Sequence, residues 1–377
     1  MKFNRAKIPI NELLHSKRII SLALNIVFFI LLTPIRYYCK IISNKNGDVL
    51  VISLHKLGDT VFTFSAIHEL INHFGNKIKI ICYPDSLPIY KLLFKEIECI
   101  TIDKDDFYFN DRIANSKART KIQAIKPEVI IDITCTMVSA SLIFNSKAKL
   151  IVGSNGKHFK AVYDKFVTPR IAPKLTDIYL DAITPIINNP DRSFVDKIKI
   201  DHNSNGKILI QPFAGWKEKE WYLRNFILLG ERLNKDYFVD FIIQSGQLDR
   251  DILEEIKSMG MEVIQTQSIE ELIDSIKNHS VFIGNDSGPI NIANYLGKST
   301  LTIYGATNPS YSASNKEFQD YIIKGINCSA KQNEKYCSIG LAVYKCSGMQ
   351  CMNSISVDNV HQKVIPLLNR YCVRKNF

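Results

Sequence analysis

Short, largely apolar runs and longer segments of helical periodicity alternate along most of this chain. The apolar runs, typical of strands that are buried on both faces of a parallel sheet, occur at residues 48–53, 77–82, 98–102, 128–134 and 148–152. The segments between them place apolar residues three and four positions apart, as between residues 61 and 74, which predicts amphipathic helices. We therefore expect alternating strands and helices around a parallel sheet.

A polar stretch at residues 188–206 interrupts this pattern and predicts a linker between two domains. The alternation restarts after it, with strands expected at 207–212, 240–244, 262–265, 280–283 and 300–304 and helices at 223–233, 249–259 and 269–277. Two successive repeats of similar size predict an α/β protein with two doubly wound, Rossmann-like domains that face a cleft. We assign the first domain to residues 47–190 and the second to residues 205–355.

The first 46 residues differ from the rest in charge. The 377-residue chain carries a net charge of +11, and residues 1–45 contribute +7 of it through eight Lys and Arg against one Glu. The remaining residues are therefore only weakly basic, and no nucleic-acid partner is expected. The basic residues flank an apolar run at residues 19–35, which as a helix reaches about 25 Å, slightly short of a hydrocarbon core of about 30 Å.

Several interpretations of this N-terminal segment compete. A signal peptide is disfavoured because no A-x-A-like cleavage site follows the apolar run. An interfacial anchor, a full span and a soluble core helix remain, and the marginal length favours the interfacial anchor. The side chains expected at the headgroups and the interface are Lys17, Arg18, Arg36, Lys40, Tyr37 and Tyr38. We therefore expect an N-terminal apolar helix that associates with a membrane surface.

The densest candidate chemistry lies at residues 280–305. Asn285, Asp286 and Ser287 follow an apolar run and are preferred helix N-cap residues, and Pro289 suits a first helical turn. A polar loop that opens a helix after a parallel strand points backbone N–H groups at an anion. Such a loop also caps its helix in proteins without a ligand, so both interpretations stand on these residues alone.

Residues 286–289, 293–298 and 304–309 together resemble the signature of glycosyltransferase family 9, the ADP-heptose:lipopolysaccharide heptosyltransferases. The resemblance extends over four motifs between about residue 48 and residue 370. It implies the GT-B fold, in which the last helix, within residues 356–377, crosses back to the first domain. It also implies an inverting transferase that uses no metal and no cofactor.

Two of these motifs supply the expected catalytic side chains. Gly58 and Asp59 resemble the family's L-G-D loop, whose Asp is the proposed base, and an inverting transfer needs such a carboxylate to take the acceptor's proton. The alternative is that Asp59 only caps its helix. Lys219 takes the place of the family lysine and would neutralise charge on the leaving diphosphate. The alternative is a solvated lysine, and Phe213 stands where the family usually has a glycine.

The nucleotide sugar is expected to bind to the other two motifs and to Gly58, which permits a close approach to the backbone. Asp249 resembles the acidic residue that binds the nucleotide ribose, with Asp251 as the alternative match. In the motif at residues 280–305, Asp286, Ser287 and Gly288 resemble the family's binding residues, and Asn291 is expected to bind the nucleotide sugar with them. Position 291 departs from the family, because Asn291 replaces a His that could carry positive charge beside the diphosphate.

The nine cysteines include four near the C-terminus, namely Cys328, Cys337, Cys346 and Cys351. Their spacing lacks the paired C-x2-C knuckles of a zinc ribbon, and the resembling family has a similar cysteine-bearing loop. We expect free thiols and no metal, with zinc as the alternative.

The function that the resemblance implies is transfer of heptose from ADP-heptose to a lipopolysaccharide-core or related lipid-linked glycan at the cytoplasmic face of the membrane. The alternatives are a catalytically impaired sugar-nucleotide-binding protein, suggested by Asn291, and a nucleotide-sugar epimerase of the same fold, which would not explain the N-terminal segment.

Overall fold

Two parallel six-stranded sheets form the framework of the protein. The computed structural model describes residues 10–108, 113–154, 159–168, 170, 174–201, 205–314, 316–337, 346 and 348–375, with side chains described from residue 26 onward. The strands are β1 Val49–Ile52, β2 Ile78–Cys82, β3 Glu98–Thr101, β4 Phe107–Tyr108, β5 Ile113–Ala114, β6 Val129–Asp132, β7 Leu150–Ser154, β8 Lys165–Val167, β9 Ile208–Gln211, β10 Val239–Gln244, β11 Glu262–Thr266, β12 Val281–Asn285, β13 Ser299–Tyr304 and β14 Gln319–Ile323.

Both sheets have the doubly wound strand order. The first runs β3-β2-β1-β6-β7-β8 and the second β11-β10-β9-β12-β13-β14, so each places its strands in the order 3-2-1-4-5-6. Strands β4 and β5 form a separate antiparallel pair. The expected fold class is therefore confirmed. The edge strands β8 and β14 and the β4–β5 pair were not expected, since β4, β5 and β8 have only two or three residues and β14 begins with Gln and Asp.

The helices between the strands cover both faces of each sheet. They are α1 Ile10–Ile41, α2 Leu57–Phe62, α3 Phe64–Phe74, α4 Leu87–Leu93, α5 Ser116–Ile125, α6 Met137–Ile143, α7 Leu175–Ile183, α8 Leu223–Leu233, α9 Arg250–Ser258, α10 Ile269–Asn278, α11 Gly288–Tyr295, α12 Gln350–Asn353 and α13 Val357–Tyr371. In β1, Val49 and Val51 join the apolar core on one face, while Leu50 and Ile52 join the core on the other. This two-sided burial explains why the central strands are apolar throughout.

The two domains meet along α11. Tyr295 at the end of this helix makes edge-to-face contacts with Phe62 and Phe64 of the first domain, at centroid distances of 6.1 Å and 5.4 Å. Ile290 and Ile292 are fully buried in the same core as the α3 side chains. The contact fixes the carboxyl ends of both sheets on either side of one cleft.

The last helix does not cross back, and that expectation was wrong. Helix α13 lies on the second domain, where Val360, Val364 and Leu368 are fully buried in a core shared with Trp221 and Phe226. After the helix, residue 374 forms an antiparallel bridge with residue 237 of the second domain. The apolar face of α13 is used within the second domain, which leaves no apolar side to pack on the first.

Helix α1 extends well beyond the apolar run at residues 19–35. Its inner face docks on the first domain through a tilted ring contact of Phe28 with Phe159, at 5.0 Å between centroids, and through an ion pair of Arg36 with Asp164. Arg36 is 5% exposed, so its expected place at lipid headgroups was wrong. Within the described part of the chain, no helix has both the length and the hydropathy that a membrane crossing requires.

Candidate functional site

A cleft of about 880 Å³ lies between the two domains at the carboxyl ends of their central strands. Seven of the eight expected site residues line this cleft. They are Gly58 and Asp59 from the first domain and Lys219, Asp286, Ser287, Gly288 and Asn291 from the second. Segments far apart in the sequence therefore meet in one cavity, as expected where two sheets present their carboxyl ends to each other.

Asp59 lies in the first turn of α2, directly after the loop that leaves β1. The N-cap residue of α2 is Lys56, and no side chain forms a capping hydrogen bond there. The alternative that Asp59 serves only as a helix cap therefore has no support in the geometry. Its carboxylate lines the cleft from the side of the first domain.

Two glycines allow the backbones of the two domains to approach each other closely. A methyl group on Gly58 would lie 2.9 Å from Cα of Gly288 and 3.5 Å from Nδ2 of Asn291. The start of α2 therefore touches the start of α11 backbone to backbone, which only glycines permit at this distance. This contact brings Asp59 to the edge of the loop that carries Asp286.

Lys219 forms an ion pair across the second domain's part of the cleft. Its Nζ lies 2.6 Å from Oδ2 of Asp286, and it also donates to the backbone oxygen of Asp286 at 3.2 Å. Oδ2 of Asp286 accepts a further hydrogen bond from Oγ1 of Thr307 at 2.7 Å. The two charged side chains are only 15% and 7% exposed. Lys219 is therefore a partly buried, paired lysine, and the alternative of a solvated lysine was wrong.

Hydrogen bonds to Asn285 hold the Lys219 segment against the sheet. Asn285 is fully buried at the end of β12, where its Oδ1 accepts from the backbone N–H of Trp221 at 2.9 Å and its Nδ2 donates to the carbonyl of Pro212 at 2.7 Å. The indole N–H of Trp221 donates to the carbonyl of Ile355 at 2.8 Å. Because a buried amide with satisfied partners is costly to displace, this network fixes where Lys219 can reach.

The eighth expected residue does not line the cleft. Asp249 is the exposed N-cap residue of α9, and neither Asp249 nor the alternative, Asp251, belongs to the cavity wall. The same turn instead presents Gln244 and Gln247, and α10 presents Glu270. A polar turn carries several side chains, and the sequence alone did not indicate which of them faces inward.

Sequence reasoning also missed the loop at residues 331–337, which folds over the cleft. Lys335 and Tyr336 line the cavity, and residue 336 forms an antiparallel bridge with residue 307. These residues carry no motif of their own. They also lie more than a hundred positions from Lys219 in the sequence, so only the fold shows that they share its cleft.

The charges around the cleft come from both domains. The cationic side chains in its wall are those of Lys56, Lys219 and Lys335, and the acidic ones are those of Asp59, Asp85, Glu270 and Asp286. Asn291 is 6% exposed and adds no charge. The positive charge of the cleft therefore comes from lysines and not from residue 291.

The cysteines lie outside this wall. No disulfide joins any of the nine, and burial raises the pKa of the Cys351 thiol, near the other three cysteines of its cluster. Among the described residues, no group of three or more His, Cys, Asp or Glu is arranged to hold a metal ion.

Comparison with known proteins places the chain among sugar transferases. The profile of the family described as "Glycosyltransferase family 9 (heptosyltransferase)" matches residues 118–341, more than half of the chain. A curated relative, lipopolysaccharide heptosyltransferase 1 of Campylobacter coli, is 38% identical over 86 residues. That match spans 22% of this chain and 22% of the relative.

Solved structures share the fold over nearly their whole length. The E. coli ADP-heptose lipopolysaccharide heptosyltransferase II is similar with a TM-score of 0.63 and 14% identity, over 86% of this chain and 99% of that chain. An E. coli heptosyltransferase solved with ADP has a TM-score of 0.61 and 13% identity, over 86% and 98%. A family 9 glycosyltransferase from Veillonella parvula has a TM-score of 0.62 and 16% identity, over 87% and 99%. At these identities the likeness shows the fold.

Proposed function

The chain belongs to glycosyltransferase family 9, and from this membership we propose that it transfers a heptosyl group from ADP-heptose to a lipopolysaccharide-core or related lipid-linked glycan. We further propose that the anomeric configuration inverts and that the transfer needs no metal. The observation that carries the proposal is that Asp59 and the Lys219–Asp286 pair line one cleft from opposite domains.

In this mechanism Asp59 acts as the general base. The acceptor hydroxyl loses its proton to the Asp59 carboxylate as its oxygen bonds to the anomeric carbon. The bond from the anomeric carbon to the diphosphate oxygen breaks on the opposite side, and ADP leaves with the electron pair. Attack from the face opposite the leaving group inverts the anomeric centre.

The second domain would stabilise the leaving group. Negative charge grows on the diphosphate as the bond breaks, and a cation already held in place lowers the barrier without reorganisation. Lys219 suits this role because Asp286 and the Asn285 network hold it at the cleft. The backbone N–H groups at the start of α11 add positive potential on the same side. Support for ADP as the nucleotide comes from the related E. coli heptosyltransferase that was solved with ADP.

A second candidate function is sugar-nucleotide binding with little or no turnover. The observation that favours it is the uncharged, buried Asn291 at the position where the family has a His. An impaired protein would bind ADP-heptose but neither transfer nor hydrolyse it.

Purified protein, ADP-heptose and a heptose-deficient lipopolysaccharide acceptor provide the test. We expect the acceptor to gain one heptose whose anomeric configuration is opposite to that of the donor, with the rate unchanged by EDTA. Binding without transfer would favour the second candidate. A rate that EDTA abolishes and Mg²⁺ restores would contradict the metal-free mechanism.

We also propose that α1 holds the protein on an anionic membrane at the cytoplasmic face. Its outer face exposes a row of large apolar side chains, each between 49% and 63% exposed, at Ile26, Val27, Phe29, Ile30 and Leu31. Tyr37 and Tyr38 are also exposed, at 69% and 62%. This apolar face lies within a segment with a net charge of +7 and fits a bilayer that contains acidic lipids, although Arg36, which is paired with Asp164, does not contribute its charge to that contact.

Vesicle sedimentation tests this surface. Replacing Phe29 and Ile30 together by Glu should release the protein from phosphatidylglycerol-containing vesicles. The matched control places the same two charges on exposed positions of α5, through Gln123→Glu and Ala124→Glu, and should keep binding. Equal binding of both variants would refute the assignment. If the wild type instead dimerises through this face and ignores vesicles, the occupant is a second copy of the chain.

A further inference from the structure

Two lysines and two aromatic rings form a continuous row along the donor side of the cleft. The Nζ of Lys219 lies 5.3 Å from the ring centroid of Trp216. Trp216 meets Tyr336 edge to face, with centroids 6.0 Å apart and planes at 71°. The Nζ of Lys335 lies 5.4 Å from the ring centroid of Tyr336. All four residues line the cleft, so both ammonium groups stand on the same wall.

The backbone holds Lys335 in this position. Its carbonyl accepts a hydrogen bond of 3.0 Å from the backbone N–H of Asn308, and Cys337 donates its N–H to Ala306 at 2.8 Å. The side-chain amide of Asn308 donates to the carbonyls of Lys331 and Glu334, both at 3.0 Å. The loop is thereby attached to the segment that follows β13, which also carries Thr307, the hydrogen-bond donor to Asp286.

Lys335 is the second lysine on the second domain's side of the cleft, whereas the third lysine of the wall, Lys56, belongs to the first domain. Lys219 is already paired with Asp286, so part of its charge is compensated before any ligand binds. Asn291 supplies no charge. Among the described residues, no carboxylate lies within ion-pair distance of Lys335, so its charge is available to a ligand.

We propose that Lys335 binds the diphosphate of the donor together with Lys219, and that it supplies the positive charge that Asn291 lacks. The inference rests on the proposed function only in requiring a nucleoside diphosphate sugar as the donor. Lys335 would contact the same phosphates that leave with the electron pair, so it would act both on donor affinity and on turnover.

Calorimetry with ADP and with adenosine tests the inference on the full chain. We expect Lys335→Gln to weaken ADP binding about tenfold to a hundredfold, the range of a hydrogen bond to a charged group. Adenosine affinity should stay within about twofold, because adenosine has no phosphate. Lys335→Arg should recover most of the ADP affinity. The control Lys331→Gln lies in the same loop and outside the cleft wall, and should bind both ligands like the wild type.

The outcomes separate this inference from the donor assignment. Equal ADP affinity of Lys335→Gln and the wild type overturns the role of Lys335, and so does an equal loss for adenosine, which would indicate a disturbed fold. If the wild type binds another nucleoside diphosphate and not ADP, the donor assignment is wrong, and the same comparison with that diphosphate decides on Lys335. If no nucleoside diphosphate binds, both proposals fall.

Discussion

The glycine contact between the domains allows a sharp test of whether the two halves of the cleft must meet. The change is Gly58→Ala. The added methyl carbon would lie 2.9 Å from Cα and 3.3 Å from N of Gly288, and both are backbone atoms that no rotamer change can move. Carbon atoms pack best at about 3.5–4.0 Å, so α2 and α11 must separate by at least about 0.6 Å.

That separation acts directly on the reacting groups. Asp59 is the next residue on α2, whereas Lys219 and Asp286 belong to the other domain, so the base moves away from the donor side. A misplacement of about 1 Å can cost roughly a hundredfold in rate, or about 2.7 kcal/mol of activation free energy. We therefore expect the kcat of Gly58→Ala to fall by about two orders of magnitude. The ADP affinity should change little, because the proposed ADP contacts lie in the second domain.

The matched control is Gly215→Ala, which also adds one methyl group inside the cleft. No atom lies within 4 Å of that methyl position, so this variant should keep its turnover. The melting temperatures of both variants check that the fold is intact. Alanine is intrinsically about 1 kcal/mol better than glycine in a helix such as α2, so helix propensity by itself would not lower the melting temperature of Gly58→Ala. Turnover of Gly58→Ala within about threefold of the wild type would refute the reasoning, as would an equal loss in Gly215→Ala.

Three further predictions concern single side chains. Asp59→Asn should lower turnover by about 10²–10⁴-fold with ADP affinity nearly intact, and a variant that keeps most of its turnover is not missing its base. Asn291→His should raise turnover with ADP-heptose if Asn291 marks a loss of activity, and should leave it poor if the donor differs; robust wild-type turnover with ADP-heptose would contradict both. Burial lowers the pKa of His55 to about 3, against about 6.5 in the unfolded chain, so below pH 6.5 the unfolded chain binds the proton and the folded protein does not. The free energy of unfolding should therefore fall between pH 6.5 and 3, by at most about 1.4 kcal/mol per pH unit from this group, and the fall should be shallower in His55→Asn; parallel pH curves for the two proteins would count against this assignment.

The sequence alone determined the framework of this protein and the family to which it belongs. Strands such as β1 and β9 are buried on both faces, so their apolar runs were visible without a structure. The amphipathic helices α8 and α13 begin and end where their apolar periodicity does. The loop from Asp286 to Gly288 was also predictable, because a tight turn between a strand and a helix restricts the residue types at consecutive positions.

Tertiary structure alone decided which polar side chains face the cleft. Asp249 and Lys335 both lie in polar loops, and nothing local distinguishes them, yet only Lys335 lines the cavity. The sequence predicted that Arg36 contacts lipid headgroups, but in the folded chain Arg36 is buried and pairs with Asp164, which lies far along the sequence. An apolar run reflects the burial of its own residues. Where an exposed or charged side chain points depends on partners that only the folded chain brings near. The packing of α13 on the second domain follows the same rule, since its periodicity predicted an apolar face but not the surface that covers it.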